Sequence, residues 1–386
     1  MKNILLILYI LPFFSLSQNK NNNDFILFLK NQNISAKEYV LNQFKKYDIV
    51  IICERSHKEF TQYELIREII EDEYFINNVG HIFTELGSVS IDERLNEFLL
   101  SKKISATDTE KRLLSVYRDM FDQPYWEPYS YPWLINAVFN INQNLSDNLK
   151  IQMHPSDFSF EWSKIKSSED YKKYYNNQGY RDSVMGINIA KKYDKLKKKK
   201  ALVIMNYKHA FLKSHVFLNQ HLHNTGEYLF NRYKNKVAGI YLMGLAIPKE
   251  NDYTIVQNGK WDYYLELLNK ISIGFNLKNT PFGKADFDVI PPESNGKYTY
   301  KYEDMFSGLI YYKPIKEHYL KTGWLNFASD DFLPELRRRT DIFIEAMDIN
   351  LSQEQKEQLI LNHNKIDSLK YPQHQLLLEK INRHKE

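Results

Sequence analysis

The chain has 386 residues, 43% of them apolar, enough for a substantial core in one large domain or two ordinary ones. Its single cysteine excludes an intrachain disulfide framework and thiolate metal clusters. A net charge of +4, with lysine and acid interspersed, asks for no nucleic-acid partner, and the basic run Lys195–Lys200 reads as a solvated helix end.

Lys2, the apolar stretch Ile4–Phe14 and the small residues of Ser15-Leu16-Ser17 have the layout of a secretory signal cleaved after Ser17. The alternative is an anchor left uncut, but the stretch is too short to span a bilayer. The mature chain is therefore expected to be periplasmic or secreted, with no membrane span. Residues 18–44 read as a polar spacer and a first helix, 45–350 as the main domain, and 351–386 as a helical tail.

Ile49–Cys53 reads as a buried strand, since its residues are β-branched and show no polar alternation. Phe60–Tyr74 carries apolar residues at helical steps. His81–Leu86 is a second strand, Ile91–Leu100 a helix, Lys150–His154 a third strand and Asp182–Tyr193 a helix. Ala201–Tyr207 is a fourth strand, with a helix expected from about Ala210. Val237–Met243 is a fifth, and Ala285–Ile290 and Gly308–Tyr312 are two more. The tail Ser352–His384 looks helical and polar. This alternation predicts an α/β fold: a mainly parallel central sheet with helices on both faces, in a single large domain with a helical C-terminal extension.

Such sheets carry their sites outside the carboxyl ends of the strands. Strand one ends in Cys53-Glu54-Arg55-Ser56-His57, strand two in Thr84-Glu85-Leu86-Gly87, strand three in Met153-His154-Pro155-Ser156-Asp157, and strand four in Asn206-Tyr207-Lys208-His209. Glu54 and His57 share one turn, the pairing a general base requires, although a capping Glu54 and a solvated His57 would explain them equally well. Glu85 follows Ile82-Phe83 in a buried strand and must be paired or protonated, which favours a functional role over the alternative of a purely structural pairing with Arg55 or Arg94. Taken alone, His209 reads as an ordinary helix-start histidine and His215 as a surface residue. His154 and Asp157 follow the third strand and are candidates for binding substrate, while a rigid turn at Pro155 with Asp157 as an N-cap would explain them equally well. Cys53 reads as a small buried residue rather than a nucleophile. No Gly-rich phosphate loop, Gly-x-Ser-x-Gly elbow or His-Glu-x-x-His helix is present.

The segment "ICERSHKEF" is similar to the Gly-Glu-x-x-His segment of the erythromycin-esterase-like proteins, a superfamily that takes in the haem-uptake ChaN-like and Tiki-like proteins. "HIFTELG" resembles their next strand, "RDSVMGINI" their Arg-Asp-x-x-Met-Ala-x-Asn helix, and "ALVIMNYKHAF" the strand whose end carries a second histidine. The matches run in order from about residue 45 to about 215. The resemblance implies hydrolysis by activated water without a covalent intermediate. His57 would be the base, Glu54 and Glu85 would orient it and the water, and His209 would stabilise or protonate the developing charge. Arg181 would line the pocket. Two departures stand out: Cys53 replaces the family's glycine, and its first-helix arginine has no clean counterpart, Arg67 being nearest.

Three functions follow, each acting on or binding a small molecule. The first is a hydrolase of an ester or related bond that needs no cofactor. The second, implied by the Tiki-like branch, is a hydrolase dependent on a divalent metal held by the Glu and His cluster. The third, implied by the ChaN-like branch, is a non-enzymatic protein that binds haem or another ligand.

Overall fold

The computed structural model describes residues 23–124, 126, 129–217, 220–249, 252–292 and 296–385. The expected signal, residues 1–17, lies outside them. The central sheet has seven strands: β1 (Ile49–Glu54), β2 (His81–Ser88), β3 (Gln152–Asp157), β4 (Ala201–Asn206), β5 (Val237–Leu242), β6 (Ser272–Asn276) and β7 (Gly308–Tyr312). Their order across the sheet is β6-β7-β5-β1-β4-β2-β3. All neighbours run parallel except β6 and β7.

Strand alternation divides the core in two. Val50, Ile52, Leu202 and Ile204 face one apolar layer, packed with helices Thr61–Ile70, Asp92–Leu100, Ala106–Tyr117 and Ser130–Asn142. Ile49, Ile51, Cys53, Val203 and Met205 face the other, packed with helices Arg181–Tyr193, Thr225–Tyr233 and Lys260–Leu267. β1 is buried at every position, which is why its sequence shows no alternation. From β1 the chain passes over the place of β4 to build β2 and β3, then returns to lay down β4, and later adds β5 on the other flank. The reversal around β1 and β4 opens a crevice at their carboxyl ends.

The α/β class is as expected, and five details differ. The sixth strand is Ser272–Asn276, not Ala285–Ile290. In β6 polar residues alternate with apolar ones in a short segment, and Gly274 leaves room for Tyr39, whose Cβ lies 2.3 Å from where a side chain would start. Phe287, Val289 and Ile290 are buried, but in an irregular segment touching a strand partner only at the Asp286–Lys301 bridge. Such an apolar run cannot be told from a strand by periodicity. The expected helix 60–74 is two, Thr61–Ile70 and Glu73–Asn78, because Asp72 caps the second through the Tyr74 N–H. After β4 the chain makes a 3₁₀ turn, Tyr207–Ala210, and a hairpin, His215–Phe217 with Gln220–Leu222, before the helix at Thr225. His215 is buried against Phe211, contrary to the expected surface position. Finally, β3 runs through Pro155 to Asp157. It is an edge strand, where the missing N–H of proline costs no ladder bond.

The tail forms helices Gln353–Asn362 and His374–Asn382, with Asp367–Leu369 pairing to Leu320–Thr322 between them. Leu377 and Ile381 pack with Ile255, Ile315 and Tyr371, tying the tail to the main body.

Candidate functional site

Four strand ends deliver polar side chains to the crevice. Glu54 is the last residue of β1 and is buried. Its Oε1 accepts from Nδ1 of His57 at 2.8 Å, and its Oε2 accepts the Tyr63 hydroxyl at 3.1 Å. The Glu54 carboxylate thus holds the imidazole in one orientation, with the Nδ1 proton engaged and Nε2 turned to the crevice. Trp126 lies over this imidazole, ring centres 5.3 Å apart.

A second carboxylate–imidazole pair faces the first. Asp182, on the first turn of the Arg181–Tyr193 helix, accepts from Nδ1 of His209 at 2.9 Å. The Thr225 backbone N–H and hydroxyl fix the same oxygen at 2.9 and 3.0 Å. The Nε2 atoms of both histidines lie near one atom, Oε1 of Glu85, 3.9 Å from His57 and 3.6 Å from His209, and Nε2 of His209 also faces Arg181 Nη1 at 3.3 Å.

Glu85 reaches this central position through an irregular stretch of β2. The β2–β4 ladder stops at Thr84–Ile204, and the register with β3 slips between Thr84 and Ser88. Gly87 takes φ +98°, where a side chain would also strike Met120. Oε2 of Glu85 accepts the Asn206 backbone N–H at 2.7 Å, and Oε1 accepts from Arg181 at 3.1 Å. Arg181 also grips Asp157, with Nη2 at 2.7 Å and Nε at 3.0 Å from Oδ2.

The electrostatics follow from this packing. Burial favours the neutral carboxyl of Glu85, but His209, His57, Arg181 and the Asn206 N–H together hold its pKa down at about 2. Burial also disfavours a charged His57, but Glu54, by charge and hydrogen bond, and Glu85 outweigh burial and the opposing Arg181, leaving its pKa above the ordinary histidine value. The Cys53 thiol is pushed up, chiefly by burial and then by Glu54, and its Sγ faces the Tyr207 carbonyl at 3.5 Å, so it stays a thiol.

Of the residues expected at the site, Glu54, His57, Glu85, His209, Arg181 and Asp157 come together, and His154 does not. His154 sits three residues before the end of β3, roughly 10 Å below the rim. Its Nδ1 is bound to Asp92 at 2.8 Å and its Nε2 lies 3.2 Å from His81 Nδ1, so both nitrogens are engaged. Neither arginine weighed as a structural partner reaches Glu85. Arg55 is buried with Glu59 at 3.0 Å, and Arg94 pairs with Asp119 at 2.9 Å. Arg67 lies on the helix surface against Glu71.

Three residues escaped the sequence reading. Asp182 stands inside the quoted "RDSVMGINI" motif, beside the arginine that was chosen, so its signal was present. Trp126 and Asp122 lie on the loop between helices Ala106–Tyr117 and Ser130–Asn142 and carried no pattern. Burial, together with the nearby Asp157 charge and against Arg181, raises Asp122 to about 6.

Beside His57 opens a pocket of about 210 Å³ whose rim includes Glu54, His57 and Asn206. A larger cavity, of about 1090 Å³, lies elsewhere, lined by residues such as Arg118, Trp162, Phe332 and Arg339. Among the described residues, the one cluster spaced to share a metal ion is Glu54, His57 and Glu85, whose donor atoms lie within 4.8 Å of one another.

No protein-family model and no curated protein matches the sequence. Among solved structures, a succinoglycan biosynthesis protein is similar with a TM-score of 0.52 and 11% identity, over 77% of this chain and 97% of that one. A protein from Bacillus cereus gives a TM-score of 0.49 and 12% identity, over 75% and 97% of the two chains. An erythromycin esterase mutant in its open conformation gives 0.43 and 11%, over 71% and 91%. The likeness to the first of these is one of fold.

Proposed function

We propose that the protein is a hydrolase that cleaves an ester or related bond by direct attack of water, with His57 as general base. One observation supports this above all: two carboxylate–imidazole pairs, Glu54–His57 and Asp182–His209, turn their second nitrogens toward the same carboxylate oxygen, with Arg181 beside that of His209. A structural ion-pair network has no need of two histidines each held by a private acid. A proton-transfer site does.

In this reading, water sits against His57 Nε2. As its oxygen adds to the substrate carbonyl carbon, its proton passes to His57, and the resulting imidazolium is stabilised by Glu54 and Glu85. The carbonyl π electrons become an oxyanion within reach of Arg181 and His209. When the intermediate collapses, the bond to the leaving oxygen breaks, and that oxygen takes the proton held by the His57 imidazolium. Asp182 and Glu54 hold the two rings, and Asp157 and Glu85 hold Arg181. The expected leader places this chemistry outside the cytoplasm.

A second reading has Glu54, His57 and Glu85 holding a divalent ion, favoured by their donor spacing. One nitrogen and two carboxylate oxygens suit a first-row ion, which would supply Lewis-acid activation of water. The Arg181 guanidinium already neutralises Glu85 from 3.1 Å, which weighs against a further cation there. The haem-binding reading gains less, because the cavity of about 1090 Å³ has no histidine, tyrosine, methionine or cysteine among the described residues that line it.

The experiment is a screen of ester, lactone and peptide substrates on the wild type, followed by a double-mutant cycle of His57→Ala and Glu85→Gln on the substrate found. His57→Ala is expected to lose about 10²–10⁴-fold in turnover, and the two losses together should fall short of additive because both act on one proton transfer. Full additivity, or normal turnover in His57→Ala, removes His57 from this role. Metal analysis, with turnover before and after chelation, decides between the two hydrolytic readings.

A further inference from the structure

Between Glu54 and His57 stand two residues, Arg55 and Ser56, and their backbone decides how closely the acid meets the imidazole. Glu54 is fixed by the sheet, as the last residue of the β1–β4 ladder, opposite Asn206. His57 stands on the turn that follows. The ladder does not reach Arg55 or Ser56, so their backbone groups need other partners.

Two carboxamides supply them. Gln62, on the first turn of the Thr61–Ile70 helix and 0% exposed, accepts the Arg55 N–H on Oε1 at 2.6 Å and donates Nε2 to the Ser56 carbonyl at 2.7 Å. Asn206, at the end of β4, donates Nδ2 to the Arg55 carbonyl at 2.6 Å. The turn is thus gripped from the helix side and from the sheet side. A carboxamide suits this task because one planar group offers both a donor and an acceptor.

Gln62 is itself held. Its backbone N–H donates to Glu59 Oε2 at 3.2 Å, and Glu59 also takes the Thr61 N–H at 2.9 Å and the Arg55 guanidinium at 3.0 Å. Arg55 donates in turn to the Met243 and Tyr312 carbonyls, each at 2.9 Å, which moors the turn to the ends of β5 and β7. The helix start that carries Gln62 and the turn that carries His57 form one bonded unit.

We infer that Gln62 and Asn206 are positioning residues for the base: they hold the Arg55–Ser56 backbone, and through it the Glu54–His57 contact. The inference rests on the hydrolase reading for His57 as the base. Slackening the turn lets the imidazole drift from Glu54, and a misplacement of about 1 Å can cost about 10²-fold in rate.

The test has two readouts on the full chain. One is kcat and KM on the substrate that the screen yields. The other is the titration of the His57 imidazole, followed by NMR on histidine-labelled protein, with its resonance identified by its loss in His57→Ala. Gln62→Met keeps the volume and removes both side-chain bonds. It is expected to lose about tenfold to 10²-fold in kcat with KM nearly unchanged. Its His57 pKa should fall, because burial lowers that pKa and the Glu54 contact that raises it is loosened. Asn206→Ala keeps its backbone N–H on Glu85 and cuts only the bond to the Arg55 carbonyl, so both readouts should move the same way by less. If Gln62→Met does not fold, Asn206→Ala carries the test.

The control is Asn142→Leu. Asn142 is also 0% exposed and also ties backbone groups, donating to the Leu99 and Ile151 carbonyls at 3.0 and 2.9 Å, but at the amino end of β3. Its loss should lower the urea midpoint and leave kcat and the His57 titration as in the wild type. A shift of equal size in Asn142→Leu assigns the effect to general loosening and overturns the inference. So does a kcat loss with the His57 titration unmoved. A wild type that hydrolyses esters, with variants that fold and keep both readouts, sinks the clamp and spares the hydrolase. A wild type that turns over no substrate, with the His57 titration shifted in both variants, keeps the clamp and sinks the hydrolase.

Discussion

Replacing Glu54 by glutamine tests how the base is tuned, because it removes charge and keeps shape. The amide can turn its oxygen to His57 Nδ1, 2.8 Å away in the native pair, and its nitrogen to the Tyr63 oxygen, so the ring should stay in place. What changes is the kind of hydrogen bond. A bond to a charged partner contributes about 1.5–3 kcal/mol and a neutral one about 0.5–1.5 kcal/mol. The imidazolium that forms during turnover thus loses about 1.4 kcal/mol of support, a tenfold drop in rate. The pH profile should move as well. Burial lowers the pKa of His57, whereas Glu54 supplies the largest of the effects that raise it. With Glu54 neutral, the balance tips toward burial and the pKa falls. A base works only when unprotonated, so the acidic limb of the turnover profile, which lies above pH 6.5 in the wild type, should shift to lower pH in Glu54→Gln. The assay is kcat against pH for both proteins and for His57→Ala. A limb that stays put or moves up, or a loss as deep as that of His57→Ala, would refute the role given to Glu54.

Arg181→Leu should destabilise the fold by about 2 kcal/mol, since it strands the buried Glu85 and the Asp157 carboxylate, with a discount because the guanidinium is about a third exposed; an unchanged urea midpoint counts against the pairing. Acid should expose Glu85: its carboxyl sits at about 2 when folded against 4.5 unpaired, so its contribution is present above about pH 4.5 and lost as the pH falls from there through about 2. The stability loss between pH 6 and pH 3 should therefore be smaller in Glu85→Gln, and equal slopes would contradict it. Mass spectrometry of exported protein should find Gln18 at or near the N-terminus, and an intact Met1 would end the proposal of a cleaved leader.

The sheet and most of the site were legible because they follow local rules. β1 announces itself by an unbroken β-branched run, and the crevice lies where parallel strands end. What was not legible depended on distance in sequence. Asp182 becomes a partner of His209 only after the Arg181 helix packs beside the β4 turn, 27 residues away. Trp126 meets His57 across 69 residues, from a loop with no periodic pattern. Val289 sits in an apolar segment that imitates a strand and in fact walls the pocket. His154 misled for the opposite reason: it is near the strand end in sequence, but β3 continues past it through a proline that only an edge strand tolerates.

The irregular end of β2 bears on how the site should be dissected. Where the β2 backbone stops pairing with β4, the Glu85 side chain takes over, and its Oε2 receives the Asn206 N–H in place of a strand carbonyl. Glu85 is thus both a stitch in the sheet and a charge in the crevice. An alanine scan would cut both at once: the orphaned Asn206 N–H sits one residue before Tyr207, so the damage would spread along the turn that sets the pocket wall and carries His209. Alanine at this position reports on cloth and thread together. Glutamine, which keeps an oxygen for the Asn206 N–H, spares the stitch and unpicks the charge together with the bond from Arg181.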